Sequence, residues 1–103
     1  MAKAEVQAGI CGFNTTIQTE MVDDICKITI QSDCPAIQRM ALDLTQVDPL
    51  QEISSRRKVP QTLQMGLKYC THSACSVPVG IIKAVEVEAG LALPADVTIT
   101  VSK

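Results

Sequence analysis

The stretch Cys26-Lys27-Ile28-Thr29-Ile30-Gln31-Ser32-Asp33-Cys34-Pro35-Ala36-Ile37-Gln38-Arg39-Met40-Ala41-Leu42-Asp43-Leu44 decides the fold. Its first half has a period of two. Cys26, Ile28 and Ile30 alternate with Lys27, Thr29 and Gln31, the pattern of a strand with one buried face. Its second half has a period of 3.6. Ile37, Met40, Ala41 and Leu44 fall at i, i+3, i+4 and i+7, the apolar stripe of a helix. Ser32-Asp33-Cys34-Pro35 marks the switch: Ser32 or Asp33 can cap the helix, and Pro35 suits its first turn.

Upstream, residues 3–10 place Ala4, Val6, Ala8 and Ile10 on one face and Lys3, Glu5 and Gln7 on the other, which predicts a strand. Gly12-Phe13-Asn14 can turn the chain. Thr15 to Met21, rich in β-branched residues, predicts a second strand, and Asp23-Asp24 the turn into the third. Connections this short favour an antiparallel meander.

Downstream, Asp48-Pro49 opens a short helix, with Gln51 placed for a capping box and an end near Arg56-Arg57-Lys58. Pro60 opens another, carrying Leu63, Leu67 and Cys70. Residues 77–93 mix two patterns. Val85, Val87 and Ala89 alternate with Glu86 and Glu88, but Ile81, Ile82, Val85, Ala89 and Ala92 form a helical face. Pro78 near the start and Leu93-Pro94 at the end decide for helix, and Gly80, Ala84 and Gly90 permit close packing along it. Val97, Ile99 and Val101 alternate with Thr98 and Thr100 as a final strand. The expected architecture is one α+β domain spanning 1–103. It has a three-stranded antiparallel meander plus a C-terminal strand, with three to four helices packed on one sheet face.

Composition removes several function classes. Aromatic residues are 2% of the chain, Phe13 and Tyr69 with no Trp, so stacking platforms for single-stranded nucleic acid are missing. A net charge of −2 argues against non-specific binding to phosphate backbones, which rests on Lys and Arg. The one basic run, Arg56-Arg57-Lys58, fits a solvated helix end. No apolar run has membrane-spanning length, and Met1-Ala2-Lys3-Ala4-Glu5 does not lead into a signal-peptide core. The expected location is the cytoplasm, where thiols stay reduced.

Five cysteines in 103 residues then become the chemical feature of the chain. Cys26 shares strand parity with Ile28 and Ile30 and reads as a small core residue. Cys11 is bracketed by Gly9 and Gly12. Cys34 and Cys75 each precede a helix, where unpaired N–H groups stabilise a thiolate and lower its pKa. Cys70 closes the preceding helical segment, with His72 between it and Cys75. Four thiolates, Cys11, Cys34, Cys70 and Cys75, satisfy zinc or an iron–sulfur cluster. His72 is a further candidate ligand, since neutral imidazole binds metals near pH 7. Paired Cys-x-x-Cys knuckles, common in structural zinc sites, are absent; dispersed cysteines near Pro are closer in style to a cluster site.

Ala8-Gly9-Ile10-Cys11-Gly12-Phe13, Ser32-Asp33-Cys34-Pro35 and the run from Cys70 to Pro94, with Lys83-Ala84-Val85-Glu86 and Gly90-Leu91-Ala92-Leu93-Pro94, resemble a small uncharacterised family of single-domain prokaryotic proteins, found mainly in anaerobes. The resemblance spans almost the whole chain. It implies a domain of unknown function with Cys11, Cys34, Cys70 and Cys75 as the residues of interest. The Cys34-Pro35 pair also resembles the dipeptide that opens a helix in sulfur-carrier proteins.

Three functions follow as expectations. The first is a small metal- or iron–sulfur-binding protein with a Cys₄ site, suited to electron transfer or metal handling. The second is a sulfur carrier or redox protein using Cys34 or Cys75 as a metal-free thiol. The third is a non-catalytic interaction domain with structural cysteines. A protein partner is unidentified, and a homodimer suits so small a domain.

Overall fold

The computed structural model describes all 103 residues. In chain order the elements are β1 (Ala2–Gln7), β2 (Asn14–Val22), β3 (Ile25–Ser32), α1 (Pro35–Asp43), β4 (Gln46–Val47), α2 (Pro49–Glu52), α3 (Gln61–Tyr69) and α4 (Val77–Glu88). The strands form one antiparallel sheet of order β1-β2-β3-β4. The register stacks inward-facing residues in rows across it: Ala4, Ile17 and Ile30 in one, Met21, Cys26 and Val47 in another. Lys3, Glu5, Gln18, Glu20, Lys27 and Thr29 point the other way and are exposed. The sheet is therefore half-buried, with the core on one face, as its alternation requires.

The helices cover that face. Ile37, Met40 and Leu44 of the α1 stripe are 1%, 0% and 0% exposed, and Ile81 and Val85 of α4 are both 0%. Two inward-facing threonines of β2 have their hydroxyls paired, as buried polar groups must. Thr15 shares a hydrogen bond with Ser32 at 2.7 Å, and Thr19 donates to the Ala84 carbonyl at 3.0 Å. The second bond ties α4 to the sheet. Its last residue adds another tie: the Glu88 carboxylate accepts from the Met21 N–H at 3.0 Å. That donation is the main reason its carboxyl lies below the usual range.

Gly80 fixes how closely α4 approaches. A Cβ there would lie 2.5 Å from Val6 Cγ2 on β1. Valine is stiff at χ1 and cannot swing clear. Gly80→Ala gains about 1 kcal/mol of helix propensity and loses about 1–3 kcal/mol to overpacking. The expected result is a net loss of about 1 kcal/mol in chemical denaturation, recovered when Val6→Ala is added. Equal stability of the single variant and the parent would show that β1 yields freely.

Several local expectations need correction. The fourth strand is Gln46–Val47, paired with Lys27 and Cys26, and residues 97–101 belong to no sheet. Alternation specifies which side chains share a face, but it names no hydrogen-bonding partner. The first strand ends at Gln7, and Ile10 is fully exposed. Leu67 is 80% exposed; the buried positions of α3 are Thr62 and Gly66, because Gly66 meets Pro78 of α4. Helix α4 stops at Glu88, and Gly90 makes no close packing contact. Instead Gly90 adopts φ +75°, while its N–H bonds Val87 O and the Leu91 N–H bonds Glu86 O. This is a left-handed C-terminal cap, which glycine enters without a Cβ clash.

Candidate thiolate centre

Three of the predicted cysteines sit at helix ends that the fold brings to one end of the sheet. Cys34 occupies the N-cap position of α1, with extended backbone and no side-chain capping bond. Ser32 and Asp33 do not cap. The Ser32 hydroxyl accepts from the Cys34 N–H at 3.1 Å, and the Asp33 carboxylate accepts from Asn14 N–H at 3.3 Å. Cys75 stands just before α4, whose N-cap residue Ser76 also makes no side-chain capping bond. The first-turn N–H groups of both helices are thus unclaimed by side chains. Cys70 ends α3, its N–H bonded to Gly66 O at 2.9 Å. Next to it, the Tyr69 hydroxyl donates to the Asp43 carboxylate at 2.8 Å, fastening the end of α3 to α1.

The shared location follows from the packing. Gly80, in the first turn of α4, lies on Val6 near the end of β1. Strand β3 finishes at Ser32 beside Asn14, the start of β2. The approaches to α1 and α4 therefore leave from the same end of the sheet. Cys34, Cys70 and Cys75 are all half-buried and all pack against the one core cluster. Their proximity has an electrostatic signature. The Cys70 thiol is pushed up to about 11, first by burial, then by the neighbouring Cys75 thiol and by Cys34. Ionising one thiol beside others that can ionise is costly in a partly desolvated site.

Cys11 stands apart from these three. It is exposed at the tip of the β1–β2 hairpin, between Gly9 (φ +93°) and Gly12 (φ +74°). The tip nonetheless projects from the same end of the sheet, since β2 begins at Asn14, which is bonded to Asp33. The hollow beneath it, about 300 Å³, is lined by Gln7, Ala8, Gly9, Gly12, Phe13 and Asn14, none of which carries an acid, base or thiol. His72 is exposed in the turn between α3 and α4. Cys26 is fully buried in the core, where burial raises its thiol pKa and the Glu88 charge adds to the effect. All five thiols are free, and no three His, Cys, Asp or Glu side chains stand around a point able to hold a metal ion.

One buried carboxylate escapes sequence reasoning. Glu52 at the end of α2 is 2% exposed. It accepts from Gln61 N–H at 2.9 Å, from Thr62 N–H at 2.8 Å and from the Thr62 hydroxyl at 2.5 Å. The acid caps α3 from across the 53–60 loop, because Pro60 at the N-cap has no side chain able to do so. Its role is to hold α3, and with it Cys70, in place. The sequence gives one faint signal, a helix opened by Pro60 without a local capping residue.

No helix is long and apolar enough to cross a membrane. No curated protein and no solved structure matches the chain. A family model does match, over residues 2–101, so the chain belongs to the family of unknown function DUF6951.

Proposed function

We propose that the protein holds a thiolate-ligated metal or iron–sulfur centre on Cys34, Cys70 and Cys75, with Cys11 as a fourth ligand carried by the hairpin tip. The observation that carries this reading is the grouping of three half-buried thiols from two separate connections, Cys34 between β3 and α1 and Cys70 and Cys75 between α3 and α4, close enough to oppose the ionisation of Cys70. Without a cation, clustered thiols resist becoming thiolates. A bound cation reverses that balance, because a coordinating thiol is deprotonated outright. Unclaimed N–H groups at the starts of α1 and α4 would stabilise the resulting negative charge and can donate to sulfur.

As they stand, the side chains do not surround an ion, so binding includes rotation of the thiols and closure of the hairpin tip. Gly9 (φ +93°) and Gly12 (φ +74°) suit such a closure, since glycine gives the tip backbone its widest conformational range. Three thiolates leave one position of a tetrahedral zinc or one corner of a cluster for Cys11 or an outside molecule. Metal handling or electron transfer follows from that chemistry. An anaerobic prokaryotic source would suit a cluster that one exposed cysteine leaves open to oxygen.

Reconstitution tests the reading. Reduced protein purified without oxygen is loaded with zinc, or with iron and sulfide, then desalted and assayed for metal and acid-labile sulfide. The expected result is a fixed stoichiometry per chain, abolished by combined Cys34→Ser, Cys70→Ser and Cys75→Ser substitution, and weakened by Cys11→Ser. Folded, reduced parent protein that retains only traces of metal, or equal retention by the triple variant, would overturn it.

A second reading uses Cys75 or Cys34 as a metal-free nucleophile, with Cys70 beside Cys75 as its resolving thiol. The same grouping of thiols favours it. The high pKa of Cys70 suits that residue for the resolving role only, because the attacking species must be a thiolate near neutral pH. Rapid single-site alkylation of Cys34 or Cys75 in protein that binds no metal would select this reading over the first.

A further inference from the structure

The last stretch of the chain carries apolar side chains that nothing covers. Val97, Ile99 and Val101 are 56%, 76% and 87% exposed, and residues 97–101 make no backbone hydrogen bond. Their β-branched, period-two pattern is that of a half-buried strand. A strand left unpaired presents a full row of N–H and C=O groups.

The sheet has a matching open side. Strand β1 is its edge and pairs only with β2. Ala2, Ala4 and Val6, on its inner side, are only half-buried, whereas Ile17 on the neighbouring strand is fully buried. The core thins out at β1 instead of closing there.

The tail is directed toward this side of the molecule. Lys83 and Val87 follow Gly80 at i+3 and i+7, on the stripe of α4 that abuts Val6. After the Gly90 cap the chain doubles back along that stripe, and Leu93, Asp96 and Val97 enclose a cleft of about 140 Å³ with Lys83, Glu86 and Val87. Beyond it, exposure climbs from Val97 to Val101, so the remaining residues run off their own body.

We propose that Val97–Val101 of one copy pairs with β1 of a second copy, reciprocally, giving a two-fold dimer whose sheets each gain a fifth strand. One chain supplies both the unpaired strand and the unpaired edge, and a closed two-fold exchange satisfies both at once. The tail retraces α4 toward the end of the sheet where β1 finishes, so it runs parallel to its own β1, and a two-fold axis along the strands keeps that sense against the partner's β1. Val97, Ile99 and Val101 then lie beside Ala2, Ala4 and Val6, on the side that α4 covers. Thr98 and Thr100 lie beside Lys3 and Glu5 on the wet side, and Asp96 falls diagonally from Lys3, a complementary charge. The dimer does not depend on the thiolate centre.

Sedimentation of the full chain under reducing, metal-free conditions tests the proposal, alongside Thr98→Pro and a chain ending at Pro94. Both changes lie outside the packed body, so the fold survives them, which circular dichroism verifies. The expected mass is two chains for the parent and one for the shortened chain. Thr98→Pro, lacking a ladder N–H, is expected to raise the dimer Kd about tenfold or more. Mixed labelling should give cross-copy methyl contacts between Ile99 and Ala4. A parent still monomeric at about 100 µM, so that its dimer Kd exceeds that concentration, would overturn the proposal. So would a dimer indifferent to both changes. A monomer whose 97–101 amides resist hydrogen exchange would also overturn it, by revealing closure of the tail on its own β1.

Discussion

Replacing Glu52 with alanine is expected to destabilise the fold by about 3 kcal/mol, roughly a hundredfold in the folding equilibrium. The first N–H groups of any helix lack partners within it. In α3 those groups belong to Gln61 and Thr62, and both donate to Glu52, as does the Thr62 hydroxyl. Thr62 is 0% exposed, so its donors have no water to turn to once the carboxylate is gone. Each buried donor left unpaired costs about 1–3 kcal/mol. The negative charge also lies at the positive end of the helix dipole, a favourable term that alanine removes. Glu52→Gln keeps one acceptor oxygen but turns an NH₂ toward an N–H group, so about half the loss is expected from the same principle. Urea denaturation measures both. A change below about 1 kcal/mol for Glu52→Ala would mean that α3 finds other partners for these groups. Because α3 carries Cys70, the variant should also loosen the thiol grouping before the chain unfolds.

In reduced, metal-free protein, Cys70 is expected to react with an alkylating agent about tenfold more slowly near pH 8 than an ordinary thiol. Its pKa of about 11 against a reference of 9.0 lowers the thiolate fraction about a hundredfold, while the more basic thiolate is intrinsically about eightfold more nucleophilic. The two effects together leave the tenfold deficit, which disappears as pH rises past 11. Burial is the largest cause and Cys75 the next, so Cys75→Ala should return part of the lost reactivity but not all. A Cys70 rate equal to that of a model thiol at pH 8 would remove the electrostatic basis for grouping these cysteines. The same shift has a stability consequence. Above pH 9 the unfolded chain releases the Cys70 proton while the folded chain keeps it. The stabilisation is therefore complete below about pH 9 and declines as pH climbs toward about 11.

Much of the architecture was legible because it is written in periods. The alternation of Cys26, Ile28 and Ile30, and the stripe of Ile37, Met40 and Leu44, each report one inward face, and all of these side chains are buried except Ile30, which is half-buried against the same core. Pro35 and Asp48-Pro49 mark helix starts because a missing N–H is tolerated only there. What failed was pairing. Val97–Val101 has the same alternation as β3 but finds no partner within its own chain, whereas Gln46–Val47, too short to show a period, joins the sheet because α1 delivers it beside β3. Ile10 illustrates the same limit: its parity matches Val6, yet the hairpin turns at Gly9 and carries it into solvent.

By itself the sequence determined the class of fold, the order of its main elements and the placement of Cys34 and Cys75 ahead of helices, since these depend on local backbone preferences and the spacing of apolar side chains. Only the tertiary structure decided that Cys34, Cys70 and Cys75 gather at one end of the sheet while Cys11 waits on a hairpin tip, and that Glu52 is an internal cap. Those outcomes depend on how α1, α3 and α4 pack over the strands. The proximity of residues distant in the chain is set by that packing, through contacts such as Gly66 on Pro78 and Gly80 on Val6, which no local period encodes.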